Sequence, residues 1–263
     1  MIEDNIFDNE ISNLEVISYI KKHFNLNDSS TDIISTSTAF NVSRLKDDVS
    51  NIINLKLINN ARFINKLFEA INSKIPISGL FFGCVETSTN RREMILKKYP
   101  VIVNHFIYFL DTIFKRVMPK LKITKKLYFY LTKGKNRVIS KAETYGRLYS
   151  CGFELLDEKM INNIQYFVAK KIKQPFFDKS PTYGILIKLK RIGKNNKIFN
   201  VYKLRTMHPF AEYLQEYVYE KNNLDKGGKI LDDFRISTEG RFFRKFWLDE
   251  LPMIYNVLRG EMK

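Results

Sequence analysis

The chain has 263 residues, 44% of them hydrophobic, and a formal charge of +16 at pH 7. That apolar content suits one large domain or two of ordinary size and excludes wholesale disorder. Two cysteines exclude a disulfide framework or a zinc cluster, and the basic excess points to an anionic partner: nucleic acid, an anionic membrane surface or a phosphorylated substrate.

The charge is unevenly placed. Residues 1–50 carry four Lys/Arg against nine Asp/Glu, a net of −5, which leaves +21 for the remainder. Residues 115–137 contain nine Lys/Arg and no acid, and Lys170 to Arg205 contains eleven against the single acid Asp178. The basic run at 115–137 reads as a solvated face, or as a holder of anionic lipid headgroups in a membrane-bound protein. The acidic, polar-broken N-terminus is not patterned as a signal peptide. No window reaches the run of about eighteen apolar residues that a spanning helix needs. The nearest, Val101 to Phe114, is interrupted by Asn104, His105 and Asp111, so any membrane association is expected to be peripheral.

Residues 1–40 are expected to form an acidic lead-in, loosely attached over 1–35. An α/β accessory domain is expected over 41–160. Within it, Asn51 to Ile71 has apolar residues at helical spacing. Ile75-Pro76-Ile77-Ser78-Gly79 makes a turn, and Leu80 to Val85 a buried strand. Lys126 to Thr132 reads as another strand. Ser140-Lys141-Ala142-Glu143 has capping-box spacing and starts a helix that runs to Gly152. Phe153 to Leu156 follows as a strand. This succession resembles the C-terminal half of a class I methyltransferase-like fold, without the glycine-rich loop that would hold a nucleotide cofactor. A degenerate, non-catalytic domain is therefore expected. Cys84 and Cys151 are expected as buried small hydrophobes. His23, His105 and His208 form no metal-ligand pair.

Residues 161–185, with Pro175, Pro181 and Gly184, read as a connector to a second unit, 186–263. There Ile185–Leu189 and Ile198–Tyr202 predict a β-hairpin with a basic tip. Phe210 to Tyr219 reads helical, ended by Gly227-Gly228. Thr238-Glu239-Gly240 marks a turn and Arg241 to Leu248 a short helix. Pro252 suits the first turn of a helix of about 252–259, which Gly260 would end. Asp249 and Glu250 then lie at its positive end. Alone they read as capping acids. Flanked by Arg241, Arg244 and Lys245, with Lys203, Arg205 and Arg235 able to approach, they also suit phosphoryl transfer, which needs one acid to attack or hold a metal and bases to neutralise phosphate oxygens.

Several blocks then fall in one order: Arg191-Ile192-Gly193-Lys194, Phe199 through Met207, Asp233-Phe234-Arg235-Ile236-Ser237, Gly240 through Lys245, Leu248-Asp249-Glu250-Leu251-Pro252, and Asn256 through Met262. Over 186–262 they resemble the catalytic domain of the bacterial sugar transferases, the monotopic polyprenyl-phosphate sugar-1-phosphate transferases. The resemblance implies a small α+β catalytic domain that moves a sugar-1-phosphate from a UDP-sugar to a polyprenyl phosphate, in capsule, exopolysaccharide or glycoconjugate synthesis. It implies Asp249 as the nucleophile of a covalent phosphosugar intermediate, and Glu250 as a Mg²⁺ ligand. Lys203, Arg205 and Arg244 are implied as substrate-phosphate contacts, with Asp233 and Arg235 as a supporting pair or further phosphate contacts. The implied place is the cytoplasmic face of the bacterial inner membrane, with no nucleic-acid partner. Two departures from the family accompany the match. Residues 154–175 are too charged for its re-entrant membrane helix, and the sequence stops before its Pro-Arg-containing block, as in a C-terminally truncated member. The alternative is a catalytically inactive docking scaffold derived from the same family.

Overall fold

The structure, a computed structural model, describes residues 13–177, 183–221 and 230–262. Pro181 and the expected helix break at Gly227-Gly228 lie outside the described residues. The chain divides into two compact units, residues 1–178 and 179–263.

Unit 1 is an α/β layer structure around a five-stranded sheet of order β1-β2-β3-β5-β4. Strands β1 (Thr31–Ile34), β2 (Asn51–Leu57) and β3 (Leu80–Val85) run parallel. β4 (Phe153–Ile161) and β5 (Ile164–Lys171) form an antiparallel hairpin, and β5 pairs antiparallel with β3. Successive side chains of a strand point to opposite faces, and Phe81-Phe82 use this to bind both layers. Phe82 meets Phe24 and Tyr19 at the end of helix α1 (Leu14–His23). Helix α2 (Ala39–Ser43) is a short piece capped by Thr38. On the other face Phe81 meets Phe68 of helix α3 (Ile64–Lys74), with ring centroids 5.8 Å apart, and also Phe153 and Phe167. Helices α4 (Ser88–Lys98), α5 (Val101–Thr112), α6 (Lys122–Thr132) and α7 (Lys141–Ser150) follow β3, with a π-helical turn (Ile113–Val117) and a 3-10 turn (Met118–Lys120) between α5 and α6.

The expected turn at 75–79, strand at 80–85 and capped helix after Ser140 are all present: the Ser140 hydroxyl accepts the Glu143 N–H at 3.0 Å. Four expectations are corrected. Residues 14–34 are not loosely attached, because Val16, Tyr19 and Ile20 of α1 are buried with Phe24 in the core and β1 joins the sheet. Residues 51–57 are strand rather than helix. Ile52, Ile53 and Asn54 are all fully buried, and a strand covered on both faces shows no period of two. Residues 126–132 are helix rather than strand. Ile123, Leu127, Tyr130 and Leu131 recur at helical spacing over a longer window than the short apolar and aromatic run, 127–131, that reads as a strand. Residues 161–171 are not connector but the second arm of the β4–β5 hairpin. Its two-residue turn has both Asn162 and Asn163 at left-handed φ, 48° and 62°, which asparagine tolerates.

Cys84 and Cys151 are both buried, as expected. A buried charged cluster ties the helices of unit 1 together: Glu143 accepts from Arg147 at 2.8 Å and from Lys120 at 3.0 Å. Among the described residues no helix is long and apolar enough to cross a membrane.

Unit 2 is small and α+β. Strands β6 (Leu186–Ile192) and β7 (Ile198–Leu204) pair antiparallel from Leu186↔Leu204 to Ile192↔Ile198. Their tip is closed by the Gly193 N–H on the Lys197 carbonyl at 2.8 Å. A 3-10 turn (Ala211–Leu214) leads into helix α8 (Gln215–Lys221). The hairpin and the helical 210–219 stretch are as the sequence predicts. Helix α9 (Thr238–Lys245) starts earlier than expected. Ser237 caps it by accepting the Gly240 N–H at 2.9 Å, so Thr238-Glu239-Gly240 is its first turn rather than a separate one. A 3-10 turn (Leu248–Met253) and helix α10 (Ile254–Leu258) complete the described unit, and Gly260 at φ 67° ends it.

Candidate active site

Asp249 and Glu250 do not precede a helix beginning at Pro252. They occupy the first turn of the 3-10 segment Leu248–Met253, with Pro252 inside it. The chain reaches that turn through Trp247, whose backbone is left-handed at φ 57° and ψ 17°. For a bulky residue this is an outlier conformation, costing about 1–2 kcal/mol. It reverses the chain between α9 and the acidic turn.

The turn sits against the β-hairpin. Lys203 on β7 donates its Nζ to Glu250 Oε1 at 2.6 Å, across 47 residues of sequence. Both side chains are about one-third exposed or less, so the pair contributes about 1 kcal/mol at most. Its significance is positional: a cation and two adjacent carboxylates share one surface. Among the described residues the Asp249 carboxylate has no hydrogen-bond or ion-pair partner, and its side chain is half-buried.

The second cation is fixed from α9. Arg244 Nε donates to Thr206 Oγ1 at 2.9 Å, immediately after β7. Thr206 also accepts the Ser237 N–H on its carbonyl at 3.0 Å, and the His208 N–H meets the Arg235 carbonyl at 2.8 Å. Residues 206–208 and 235–237 thus zip together around a Met207↔Ile236 bridge. Arg205 donates its Nε to the Gly184 carbonyl at 2.9 Å, at the start of the hairpin.

Asp233 and Arg235 lie beneath this surface. They are 7% and 3% exposed, and the carboxylate takes two guanidinium bonds, from Nε at 2.9 Å and Nη2 at 2.8 Å. Arg235 Nη1 donates to Gln215 at 2.7 Å, which ties α8 to the same pair. Of the two roles the sequence left open, this geometry is that of a supporting pair. Burial pushes the Asp233 carboxyl up, but the bonds and charge of Arg235, helped by Arg244, outweigh it and hold it below the usual carboxylate range.

Two positioning residues escaped the sequence reading. Asn256 on α10 is fully buried; its Nδ2 donates to the Asn200 carbonyl and to Glu261, both at 2.7 Å, and its Oδ1 accepts the Tyr202 N–H at 3.2 Å. It clamps the acidic turn's helix to β7. Gly240 permits the close approach of α9 to Thr206, where a Cβ would stand 2.0 Å from the carbonyl oxygen. Both head blocks of the ordered series, but neither carries chemistry, so the sequence assigns them no role.

Among the described residues no group of three or more His, Cys, Asp and Glu gathers into a metal cage. The adjacent acids 249 and 250 instead fit the manner in which Mg²⁺ is commonly held, by one or two carboxylates and the oxygens of a substrate's phosphates.

These blocks lie on one segment, and that segment is similar to known proteins. Over residues 174–263 the chain matches the bacterial sugar transferase family. Relatives align on the same part. The galactosyl transferase CpsE of Streptococcus agalactiae serotype III is 42% identical over 73 residues, covering 27% of this chain and 16% of that protein. The undecaprenyl-phosphate galactose phosphotransferase of Salmonella typhimurium is 39% identical over 77 residues, again 27% of this chain and 16% of its own. The exopolysaccharide production protein ExoY of Sinorhizobium fredii is 39% identical over 80 residues, 28% of this chain and 34% of its own. This chain therefore spans between about one-sixth and about one-third of the length of these three relatives. The resemblance seen in the ordered blocks is borne out for this segment; two of these relatives are named as a galactosyl transferase and a galactose phosphotransferase, and the third for exopolysaccharide production.

Proposed function

We propose that unit 2 is the catalytic module of a phosphoglycosyl transferase that moves a sugar-1-phosphate from a UDP-sugar to a polyprenyl phosphate. The observation that carries the reading is the meeting of Lys203 with Glu250, the neighbour of Asp249, within the segment that matches the family. In the first step the Asp249 carboxylate attacks the sugar-linked phosphorus. The bond from that phosphorus to the bridging oxygen breaks, and UMP leaves with the electron pair. In the second step a phosphate oxygen of the lipid attacks the same phosphorus; the acyl-phosphate bond breaks and the carboxylate is restored. Lys203, Arg205 and Arg244 neutralise the developing charge on the phosphate oxygens. Lys203 also keeps Glu250 turned toward the reacting surface, and the Asp233–Arg235 pair holds the platform beneath. A Mg²⁺ held by Glu250 and substrate phosphate would supply further neutralisation of that charge.

The module would act at the cytoplasmic face of the inner membrane, peripherally, in capsule, exopolysaccharide or glycoconjugate synthesis. For unit 1 the reading remains a degenerate methyltransferase-like accessory domain, supported by the parallel strands that end in an antiparallel β4–β5 hairpin.

The test is UMP release from UDP-sugars by membranes of cells that express the protein, with Mg²⁺ and polyprenyl phosphate. Asp249→Asn should abolish release, and Lys203→Ala should slow it by about tenfold or more, the loss of one aimed charge. Equal rates for wild type and Asp249→Asn would remove the nucleophile assignment. Membrane binding without any UMP release would favour the docking scaffold.

A further inference from the structure

The polarity of α5 and α6 in unit 1 is inverted. On α5 the large apolar residues Ile102, Phe106, Phe109, Leu110 and Ile113 (the last in the turn that follows) recur at helical spacing, and all are exposed, Ile102 to 94%. On α6, Ile123, Leu127, Tyr130 and Leu131 repeat the spacing, with Ile123 92% exposed. Asn104 and Asp111 of α5, and Lys120 of the 3-10 turn before α6, face the other way. Asn104, 4% exposed, donates to the Leu96 carbonyl at 3.1 Å. Asp111 takes Arg91 at 2.6 and 2.7 Å, and Lys120 donates to the buried Glu143 at 3.0 Å. A helix on a water-facing surface carries the opposite arrangement.

Inward anchoring is thus polar and specific, while the outward stripe has no counterpart in unit 1. The charges beside it identify what covers it. Residues 115–137 carry nine Lys/Arg and no acid, and Lys125, Lys126, Lys133 and Lys135 are exposed. Two acids reach this run from outside it: Asp111, which binds Arg91 and lies 3.6 Å from Lys115, and the buried Glu143, which holds Lys120 at 3.0 Å. Two copies of so basic a face would repel one another. An apolar stripe flanked by lysines, on helices too short to span, suits the headgroup–acyl boundary of a bilayer.

We propose that the α5–α6 segment lies in the plane of an anionic phospholipid surface, its apolar stripe buried among acyl chains and its lysines on the headgroups. This adds a contact site in unit 1 to the proposed membrane-surface function and is read without turnover, so vesicle binding and UMP release fail or succeed separately.

The test is sedimentation of the full chain with vesicles of phosphatidylglycerol and phosphatidylcholine in equal parts. Wild type should bind, and Ile102→Ser/Phe106→Ser/Phe109→Ser should weaken partitioning by at least about tenfold, since three large apolar side chains no longer enter the lipid. Lys125→Glu/Lys126→Glu should weaken binding to these vesicles and reduce its salt dependence. Far-UV circular dichroism checks that each variant is folded. A second variant avoids loss of the stripe altogether: Phe106→Trp in a Trp247→Phe background should shift its emission to the blue on vesicles and be quenched by brominated acyl chains. Unchanged partitioning of a folded triple variant, or unquenched emission at position 106, would overturn the proposal. So would a dimer of the wild type that the triple substitution turns into a monomer, which would assign the face to a second copy.

Discussion

Gly240→Ala separates local propensity from packing, because the two predict opposite signs. Gly240 lies in the first turn of α9, and alanine in a helix is favoured over glycine by about 1 kcal/mol. The added Cβ, however, would stand 2.0 Å from the Thr206 carbonyl oxygen and 2.7 Å from both its carbonyl carbon and its Cα. All three are backbone atoms, so no rotamer relieves the contact and α9 must retreat by more than an ångström. The retreat stretches the Ser237 N–H to Thr206 carbonyl bond, now 3.0 Å, and the Arg244 Nε to Thr206 Oγ1 bond, now 2.9 Å. Overpacking of this kind costs about 1–3 kcal/mol, and two strained hydrogen bonds add about 1 kcal/mol each. After the helix gain is subtracted, a net loss of about 2–4 kcal/mol is expected. Urea unfolding followed through Trp247, the only tryptophan and a residue of unit 2, measures it. UMP release should fall with it by about a hundredfold, because a displacement of about 1 Å at Arg244 is enough to lose that much. A variant that is more stable than wild type would refute the close approach and the role given to it.

Three further outcomes are expected. Asp233→Asn leaves a buried guanidinium without its counter-charge and should destabilise unit 2 by about 3–5 kcal/mol in the same urea assay; a loss below about 1 kcal/mol would mean the pair behaves as an exposed one. Asp111 and Asp233 both titrate below the usual carboxylate range: burial raises each, but Arg91 (with Lys115) and Arg235 respectively outweigh it. A carboxyl depressed in the folded state stabilises fully above its unfolded value, about 3.9, and loses that contribution as pH falls through the folded value. Unfolding free energy should therefore hold from pH 7 to about 5 and drop below about pH 4, whereas a decline already complete by pH 5 would contradict the ion pairs. Burial pushes the Cys151 thiol up to about 12, so it should react with a disulfide reagent at pH 8 only after denaturation.

The candidate site was more legible in the sequence than the fold that precedes it. Lys203, Arg244, Asp249 and Glu250 stand in blocks whose order alone identified them, and three-dimensional proximity then paired Lys203 with Glu250. The details of backbone were not legible. Pro252 suggested a helix start because proline suits that position, yet the left-handed Trp247 begins the turn four residues earlier than any rule for tryptophan predicts. In unit 1 the doubly buried β2 lacked the alternation that marks a half-exposed strand. Residues 126–132 misled because a short unbroken run of apolar and aromatic residues, Leu127 to Leu131, matches a buried strand as well as a helix. Asn256 and Gly240 stand in the ordered blocks, but they act through position alone, and that role shows only in the contacts they make.

The most direct measurement of the central claim is the mass of the intact protein after incubation of membranes with a UDP-sugar and Mg²⁺ but no lipid acceptor. Wild type should gain the mass of one sugar phosphate, peptide mapping should place it on Asp249, and added polyprenyl phosphate should discharge it. Asp249→Asn should gain nothing. Wild type that turns over a UDP-sugar with no adduct at Asp249, or an Asn variant that still releases UMP at the wild-type rate, would contradict the account.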